Sequence, residues 1–442
     1  MTAVDSRPEA IGAEENGQQP WLPSRVVYTG GPPEADPRRL IPELGFREYW
    51  YPLVGAAQVS RRKPRMIKLL GDELCVFRGA HGIAAVSNYC PHRGTRLSLG
   101  DCHYAGTVTC PYHGFTYDER GECVAALPEG PASRMPGKIR VRRYPTTTLK
   151  GIVFAWMGDG EPTPVERDLP PELFDDSLIQ HDTTVWHCNW RPALENFQDA
   201  HAPYVHRNAL RMLAGPILKR SYAGARPVYH GGGMHLSYYT DGARKDSPYQ
   251  EYFPGVDGYW PKHRWRLLWT WALQGGWQRR PHQGTGRAQY NPDPEWGNGP
   301  HMPGMQRIDN GWNQYTRWCV PIDARRTREF YFHATRPNSR WAYLLDRAQY
   351  PVRQRWLQYR NFGLQDDRVL SGIAYDRREY FSEFDVETIG WRTLAILSAV
   401  HGGRHDRIPP ETIERLNARA LASEVAISHQ PSAVSSQPLA GG

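Results

Sequence analysis

No stretch of this 442-residue chain approaches the roughly eighteen consecutive apolar residues of a membrane-spanning helix. Its first twenty residues, MTAVDSRPEAIGAEENGQQP, have neither the basic start nor the apolar core of an export leader. The expectation is a cytoplasmic protein with no membrane partner. No G-x-G-x-x-G follows a strand-like run, so no nicotinamide or flavin domain is visible, and no internal repeat is present. Cysteine is scarce: seven residues, at 75, 90, 102, 110, 123, 188 and 319, an odd number without the dense spacing of a secreted disulfide scaffold. That pattern fits a reducing compartment. The formal net charge is +8, but RRK at 61–63 and the RR pairs at 142–143, 279–280 and 325–326 are scattered among acids and form no long basic stripe. A nucleic-acid partner is not expected, whereas a solvated surface or an acidic protein partner is.

Aromatic side chains are plentiful, with 16 Trp and 24 Tyr, and 442 residues suffice for two or three domains with a full core. Residues 1–45 are rich in Pro, Gly, Glu and Gln and read as a partly disordered extension. Between 46 and 160, short β-branched and aromatic runs (REYWYPLV, LCVFRG, GFTYDERGE, GIVFAWMGD) alternate with turn signals, the mark of a small all-β domain. GDGEPTPVERDLPPE at 158–172 reads as a linker. From 161 to 405, helical spacing in NWRPALENFQDAH, WAYLLDRAQYPVRQRWLQY and TIGWRTLAILSAV brackets aromatic strand-like runs such as RWRLLWTWAL, WNQYTRWCVPI and TREFYFHAT, which points to an α+β domain. Residues 406–442, small and polar towards the end, read as a partly disordered tail.

Two pairs of metal-ligating residues stand in the first domain: Cys90 with His92, and Cys110 with His113, seventeen residues separating the halves. Two thiolates and two imidazoles would hold one tetrahedral zinc ion in a binding module. The same four residues would also hold a [2Fe–2S] cluster, two cysteines on one iron and two histidines on the other. Pro91 and Pro111 follow the cysteines and preset tight turns, and Gly94 and Gly114 let the backbone approach closely.

With those flanks, C-P-H-R-G and C-P-Y-H-G-F-T-Y-D resemble the Rieske non-haem iron ring-hydroxylating oxygenases. The resemblance favours the cluster over zinc. Respiratory-type Rieske proteins carry an extra cysteine in each loop, and here Thr95 and Tyr112 occupy those places. The remaining cysteines read as ordinary buried thiols.

The helix-like ALENFQDAHAPYVHR carries His201 and His206, which on a continuous helix would point about 140° apart. Pro203 lies between them, and a break there can bring both imidazoles to one ion. Two histidines and one carboxylate on one face of Fe(II) leave positions open for dioxygen. In the family that the chain resembles, the carboxylate comes from a C-terminal helix. NFGLQDDRVLSGI resembles that segment, which implies Asp367 as the ligand and Asp366 as the fallback. The family's bridging aspartate, which links a cluster histidine of one subunit to an iron histidine of the next, corresponds to Asp199. The usual spacing is D-x-x-H, whereas only Ala200 separates Asp199 from His201, so Glu195 or Asn196 could share the role.

The resemblance implies further expectations. The second domain would be a helix-grip (START/Bet v 1-like) fold, and the subunit one of a homotrimer of catalytic subunits in the phthalate, carbazole, ketosteroid-hydroxylase and O-demethylase branch. The chain would be a terminal oxygenase holding a Rieske [2Fe–2S] cluster and mononuclear Fe(II), with O2 as cosubstrate. NAD(P)H would act through a separate reductase, with or without a ferredoxin, whose acidity the positive charge would suit. The substrate would be an aromatic or bulky apolar small molecule. Monooxygenation, cis-dihydroxylation and demethylation are all open, and a Rieske electron carrier without oxygenation is the rival to catalysis.

Overall fold

The computed structural model of the chain describes residues 27–29, 36–196, 201, 205–206, 209, 225–238, 294–309, 313–377, 379–381 and 385–428. The N-terminal region is all β. A three-stranded sheet (Thr146–Leu149, Ile152–Trp156, Trp50–Gly55) and a four-stranded sheet (Arg65–Leu69, Asp72–Arg78, Ile83–Ser87, Arg143–Tyr144) accompany a small sheet of Thr107–Thr109, Phe115–Asp118 and Cys123–Ala126. All pair antiparallel, as alternating runs bounded by turns should. The small sheet and the four-stranded sheet share a core of their own, with Phe77, Val86, Val108, Phe115 and Tyr117 around Cys90 and Cys110.

The second region is built on one seven-stranded antiparallel sheet. Its strands are β1 (Leu178–Trp186), β2 (Ala225–His230), β3 (Gly233–Tyr238), β4 (Gly299–His301), β5 (Met305–Asp309), β6 (Asn313–Asp323) and β7 (Arg326–Thr335), in the order β1-β7-β6-β5-β4-β3-β2. The helices are α1 (Trp190–Glu195), α2 (Arg340–Tyr350), α3 (Gly363–Leu370), α4 (Val386–Val400) and α5 (Pro410–Ser428). The long apolar pattern at 388–400 is the buried α4, which packs on β2 and β3. The periodic stretch beginning at Trp341 starts as an α-helix capped by Ser339, whose Oγ accepts from Ala342 N at 3.1 Å. At Pro351, which has no N–H to give the ladder, it turns into a π-helical segment, Pro351–Phe362, before α3. The aromatic run RWRLLWTWAL, at 264–273, lies outside the described residues.

One apolar core joins the two regions, with Trp50, Phe154 and Trp156 on one side and Trp190, Trp318, Phe332 and Trp391 on the other. A backbone contact fixes their registration. Leu70 adopts φ 49° at the tip of the hairpin 65–78, a conformation disfavoured for a side chain bearing a Cβ. Its N–H donates to Pro321 O at 2.8 Å and that of Gly71 to Ile322 O at 3.2 Å, so the tip is docked on β6.

Two segments differ from the sequence reading. The stretch 158–172, read as a linker, is tied down at its end: residues 159–167 are exposed or half-buried, whereas Asp168, Leu169, Pro170 and Glu172 are buried. Asp168 pairs with Arg404 at 2.9 Å and accepts from Trp50 N and from Thr163 Oγ1, each at 3.2 Å, while Glu172 receives both ends of the Arg307 guanidinium at 2.7 and 3.1 Å. Buried carboxylates stay charged only when so paired, and their partners lie far along the chain. The region 406–442, read as a tail, contains α5. Asn417 accepts from Tyr229 N at 2.8 Å and donates to Tyr229 O at 3.0 Å, bonding the backbone of β2, the last strand of the sheet among the described residues. At the other end of the chain, Val27–Thr29 pairs with Glu379–Phe381.

Candidate active site

The two ligand loops are copies of one turn. Gly94 N donates to Cys90 O at 2.8 Å and Gly114 N to Cys110 O at 3.1 Å, while Cys90 N bonds Thr95 O and Cys110 N bonds Phe115 O. Each turn closes on a glycine in the left-handed region, at φ 73° and 65°, where a residue with a Cβ would be strained. The turns bury both cysteines as free thiols beside one another and present both histidines outward, their ring centroids 4.7 Å apart. Tyr117 Oη lies 3.2 Å from Cys90 Sγ, and His92 stacks on Phe115. Burial pushes the Cys110 thiol up, partly offset by the backbone amides of Tyr112 and His113 that point at its sulfur.

The spacing of these four groups bears on whether they suit one ion or two. Ligands of a single tetrahedral zinc lie about 3.3–3.8 Å from one another. Among the described residues, the set with three or more ligand atoms within 4.8 Å of one another is His201, His206 and Asp366, and Cys90, His92, Cys110 and His113 form no such set. Two thiols on one side and two imidazoles on the other span more than one ion, as a diiron cluster requires.

At the second constellation, His201 Nε2 and His206 Nε2 are 3.3 Å apart, and Asp366 Oδ1 is 3.4 Å from the first and 3.0 Å from the second. Donors about 2.1 Å from one metal are separated by about 3.0 Å at right angles and 3.4 Å at tetrahedral angles, so the triad fits an ion at its centre. His206 and Asp366 are buried, and Asp366 Oδ1 lacks a hydrogen-bond donor of good geometry. Phe362 stacks on His206 at 3.5 Å.

The sequence reading favoured Asp367. The structure turns Asp367 away, its oxygens accepting from His187 N and facing His187 Nδ1 at 3.0 Å. Neighbouring residues on a helix point about 100° apart, so one acid of the pair faces the histidines and the other faces the rim. Asp199 lies outside the described residues. Glu195 gives both oxygens to Arg392 at 2.6 Å and accepts from Tyr375 Oη, which anchors the end of α1 to α4. Asn196 Nδ2 is buried and has no hydrogen-bond partner among the described residues.

Other residues of the site carried no local signal. Arg317 on β6 donates to Ala193 O at 2.7 Å and Asn196 O at 2.9 Å, holding the end of α1 from which the chain runs on to His201, and its guanidinium lies over Trp186. Glu329 on β7 sits 3.5 Å from Arg317 Nε and 3.3 Å from Cys319 Sγ; burial pushes its carboxyl up to about 7, against the opposing pull of Arg317.

Residues 49–145 match the Rieske [2Fe-2S] domain, and residues 156–216 match the homotrimeric ring hydroxylases. In these two regions the chain is similar to the Rieske non-haem iron oxygenases. The Rieske [2Fe-2S] match spans Cys90, His92, Cys110 and His113, the residues that fit such a cluster. The terminal oxygenase component of carbazole 1,9a-dioxygenase from Metapseudomonas resinovorans is 35% identical over 170 residues, 38% of this chain and 44% of the relative. The 5,5'-dehydrodivanillate O-demethylase oxygenase subunit of Sphingobium sp. is 30% identical over 175 residues, 38% of this chain and 41% of the relative. These alignments thus span less than half the length of the curated relatives. The solved terminal oxygenase of carbazole 1,9a-dioxygenase from Novosphingobium sp. KA1 superposes with a TM-score of 0.60 over 81% of this chain and 94% of that one, at 22% identity, which establishes the shared fold. The α+β architecture expected from the sequence is the one found.

Proposed function

We propose that the chain is the terminal oxygenase component of a Rieske oxygenase system, which hydroxylates or oxidatively demethylates an aromatic or bulky apolar small molecule. In this reading Cys90, Cys110, His92 and His113 hold the cluster, and His201, His206 and Asp366 hold the ferrous ion. The convergence of those last three donors within 3.0–3.4 Å, in a chain that also carries the Rieske loops, is the observation that carries the reading. When bound, the cluster supplies electrons one at a time and the ferrous ion supplies open positions for dioxygen.

The protein's own contribution is positioning and exclusion of water. Arg317 and Arg392 pin the end of α1 from two sides, and Phe362 backs the His206 ring. Asp367 and His187 tie α3 to the end of β1, which fixes the helix phase that turns Asp366 inward. Electrons would come from an NAD(P)H-dependent reductase, with or without a ferredoxin; solved relatives include an oxygenase and ferredoxin complex. Assembly would be a homotrimer in the cytoplasm, with Asp199 the candidate link to a neighbouring copy's cluster. Among the described residues no helix is long and apolar enough to cross a membrane.

The test is oxygen uptake by the anaerobically purified protein with a reductase, a ferredoxin and a panel of polycyclic and methoxylated aromatic compounds. Product formation that disappears in His206→Ala supports the reading. Cluster reduction and reoxidation without oxygenated product from any substrate would leave an electron carrier.

A further inference from the structure

Glu329 sits beneath the junction of the two elements that lead to the candidate iron ligands. In the antiparallel register it lies opposite Cys319 on β6 and Thr184 on β1, and Arg317 lies opposite Tyr331. Side chains of residues paired across strands, and of residues two apart along one strand, project from the same face. That face meets the end of α1, where the Ala193 and Asn196 carbonyls take the Arg317 guanidinium. It also meets α3, whose first residue, Gly363, would place a Cβ 3.4 Å from Tyr331 Oη. The chain runs from α1 to His201, and α3 carries Asp366.

The charge of this carboxylate is only partly met. Glu329 is fully buried, and its Oε1 has no hydrogen-bond partner among the described residues. Its Oε2 accepts from the Cys319 thiol at 3.3 Å and lies 3.5 Å from Arg317 Nε. A buried carboxylate with so few donors is poised between its charged and protonated forms. The groups facing it are Arg317 and Cys319 on β6, Tyr331 on β7, Cys188 just beyond β1, and Asp366 and Asp367 on α3. Burial pushes both thiols and the Tyr331 hydroxyl up, so they stay neutral. Arg317 is then the cation that favours the charged form, and the two acids on α3 are the charges that oppose it.

Arg317 links this carboxylate to the iron site. Its Nη2 donates to Ala193 O at 2.7 Å and to Asn196 O at 2.9 Å, and its plane lies over Trp186 at 4.8 Å. One end of the guanidinium therefore holds the backbone from which the chain runs on to His201, while the Nε side faces Glu329. An ionised Glu329 draws that side down onto the sheet. A protonated one exerts no such pull.

We propose that Glu329 is a positioning residue for the iron histidines, acting through Arg317: the ionised carboxylate keeps the guanidinium seated on the end of α1, and protonation slackens that seat and weakens ion binding. The proposal rests on the reading that His201, His206 and Asp366 hold the ferrous ion. Coupling of this kind is reciprocal, so an ion in the site favours the ionised carboxylate.

The test uses the full-length chain with its cluster in place, stripped of mononuclear iron and titrated anaerobically with Fe2+ against a competing chelator between pH 6 and 8. Glu329→Gln should keep the cluster spectrum and bind Fe2+ about tenfold more weakly than the parent at pH 8, the usual cost of losing a support behind a metal ligand. Since the carboxyl titrates at about 7, the difference should shrink to about twofold at pH 6, where the parent too is mostly protonated. Glu329→Asp, which keeps the charge, should keep a pH-dependent advantage over Glu329→Gln. Should Glu329→Gln not fold, Arg317→Lys, which keeps a charge but cannot span both carbonyls and the carboxylate, should show the same loss at pH 8 and the same convergence at pH 6. Equal affinities at pH 8, or a deficit of one size at both pH values, as a merely structural residue would give, would overturn the proposal while His206→Ala still loses the ion. An affinity that His206→Ala leaves unchanged would overturn the iron site itself and the proposal with it.

Discussion

Replacing Arg404 by methionine separates the energetics of the inter-region contact from its geometry. The guanidinium is 1% exposed and donates to Asp168 at 2.9 and 3.3 Å and to Asp406 at 2.9 and 2.7 Å, with a further contact to Glu48 O. Without it, the fully buried Asp168 keeps the Trp50 amide and the Thr163 hydroxyl but loses its counter-charge. Breaking such a pair from one side costs about 3–5 kcal/mol, because a charge is left buried and unpaired. At about 2–4 °C per kcal/mol, the melting temperature should fall by about 6–20 °C. Burial pushes the Asp168 carboxyl up even beside Arg404, and in the variant it is pushed higher. An acid with a folded pKa above its unfolded one takes up its proton preferentially in the native state, so the deficit should be largest at neutral pH and shrink on acidification. Adding Asp168→Leu should restore most of the loss, since removing both charges removes the unpaired one. Melting curves at one scan rate across pH 4.5–8 give all three results. A double variant as unstable as the sum of the single ones would refute the reasoning.

Four further outcomes are expected. Asp366→Ala should lose the mononuclear iron and keep the cluster absorption, whereas Asp367→Asn should keep both metals, as iron analysis of the two proteins would show. Asn417→Ala should uncover the Tyr229 backbone on the edge strand and cost about 1–3 kcal/mol in urea unfolding. Burial holds His405 down to about 4, so the unfolded chain binds the extra proton between about pH 6.5 and 4, and stability falls as pH drops through that window by up to about 3 kcal/mol; His405→Phe should flatten that part of the profile. Gly114→Ala, at φ 65° with Leu127 3.0 Å from the new Cβ, should lower cluster content measured as labile sulfide.

The Rieske loops were legible because everything that shapes them is local: cysteine, proline and a left-handed glycine within five residues, twice. That His201 and His206 come together was legible for the same reason. The acid that faces the histidines is Asp366, the fallback, and not the favoured Asp367, because its phase depends on the turns before it, and the π-helical stretch Pro351–Phe362 carries more residues per turn than the 3.6 that sequence counting assumes. The supports of the site were not legible at all, since Arg317 to Ala193 and Arg392 to Glu195 join residues 124 and 197 apart. Composition, proline and acid, suggested a linker at 158–172 and did not show that its end is anchored, because the arginines that pair with Asp168 and Glu172 stand at 404 and 307. It misled again after 406, where one asparagine on a polar helix bonds the backbone of β2.

Metal and sulfide content per chain bears most directly on the central claim of two iron centres on one polypeptide. Purified without oxygen, the parent should contain about three irons and two labile sulfides, and His206→Ala about two irons with the same sulfide. Zinc in place of iron, or an iron content that His206→Ala leaves unchanged, would contradict the account.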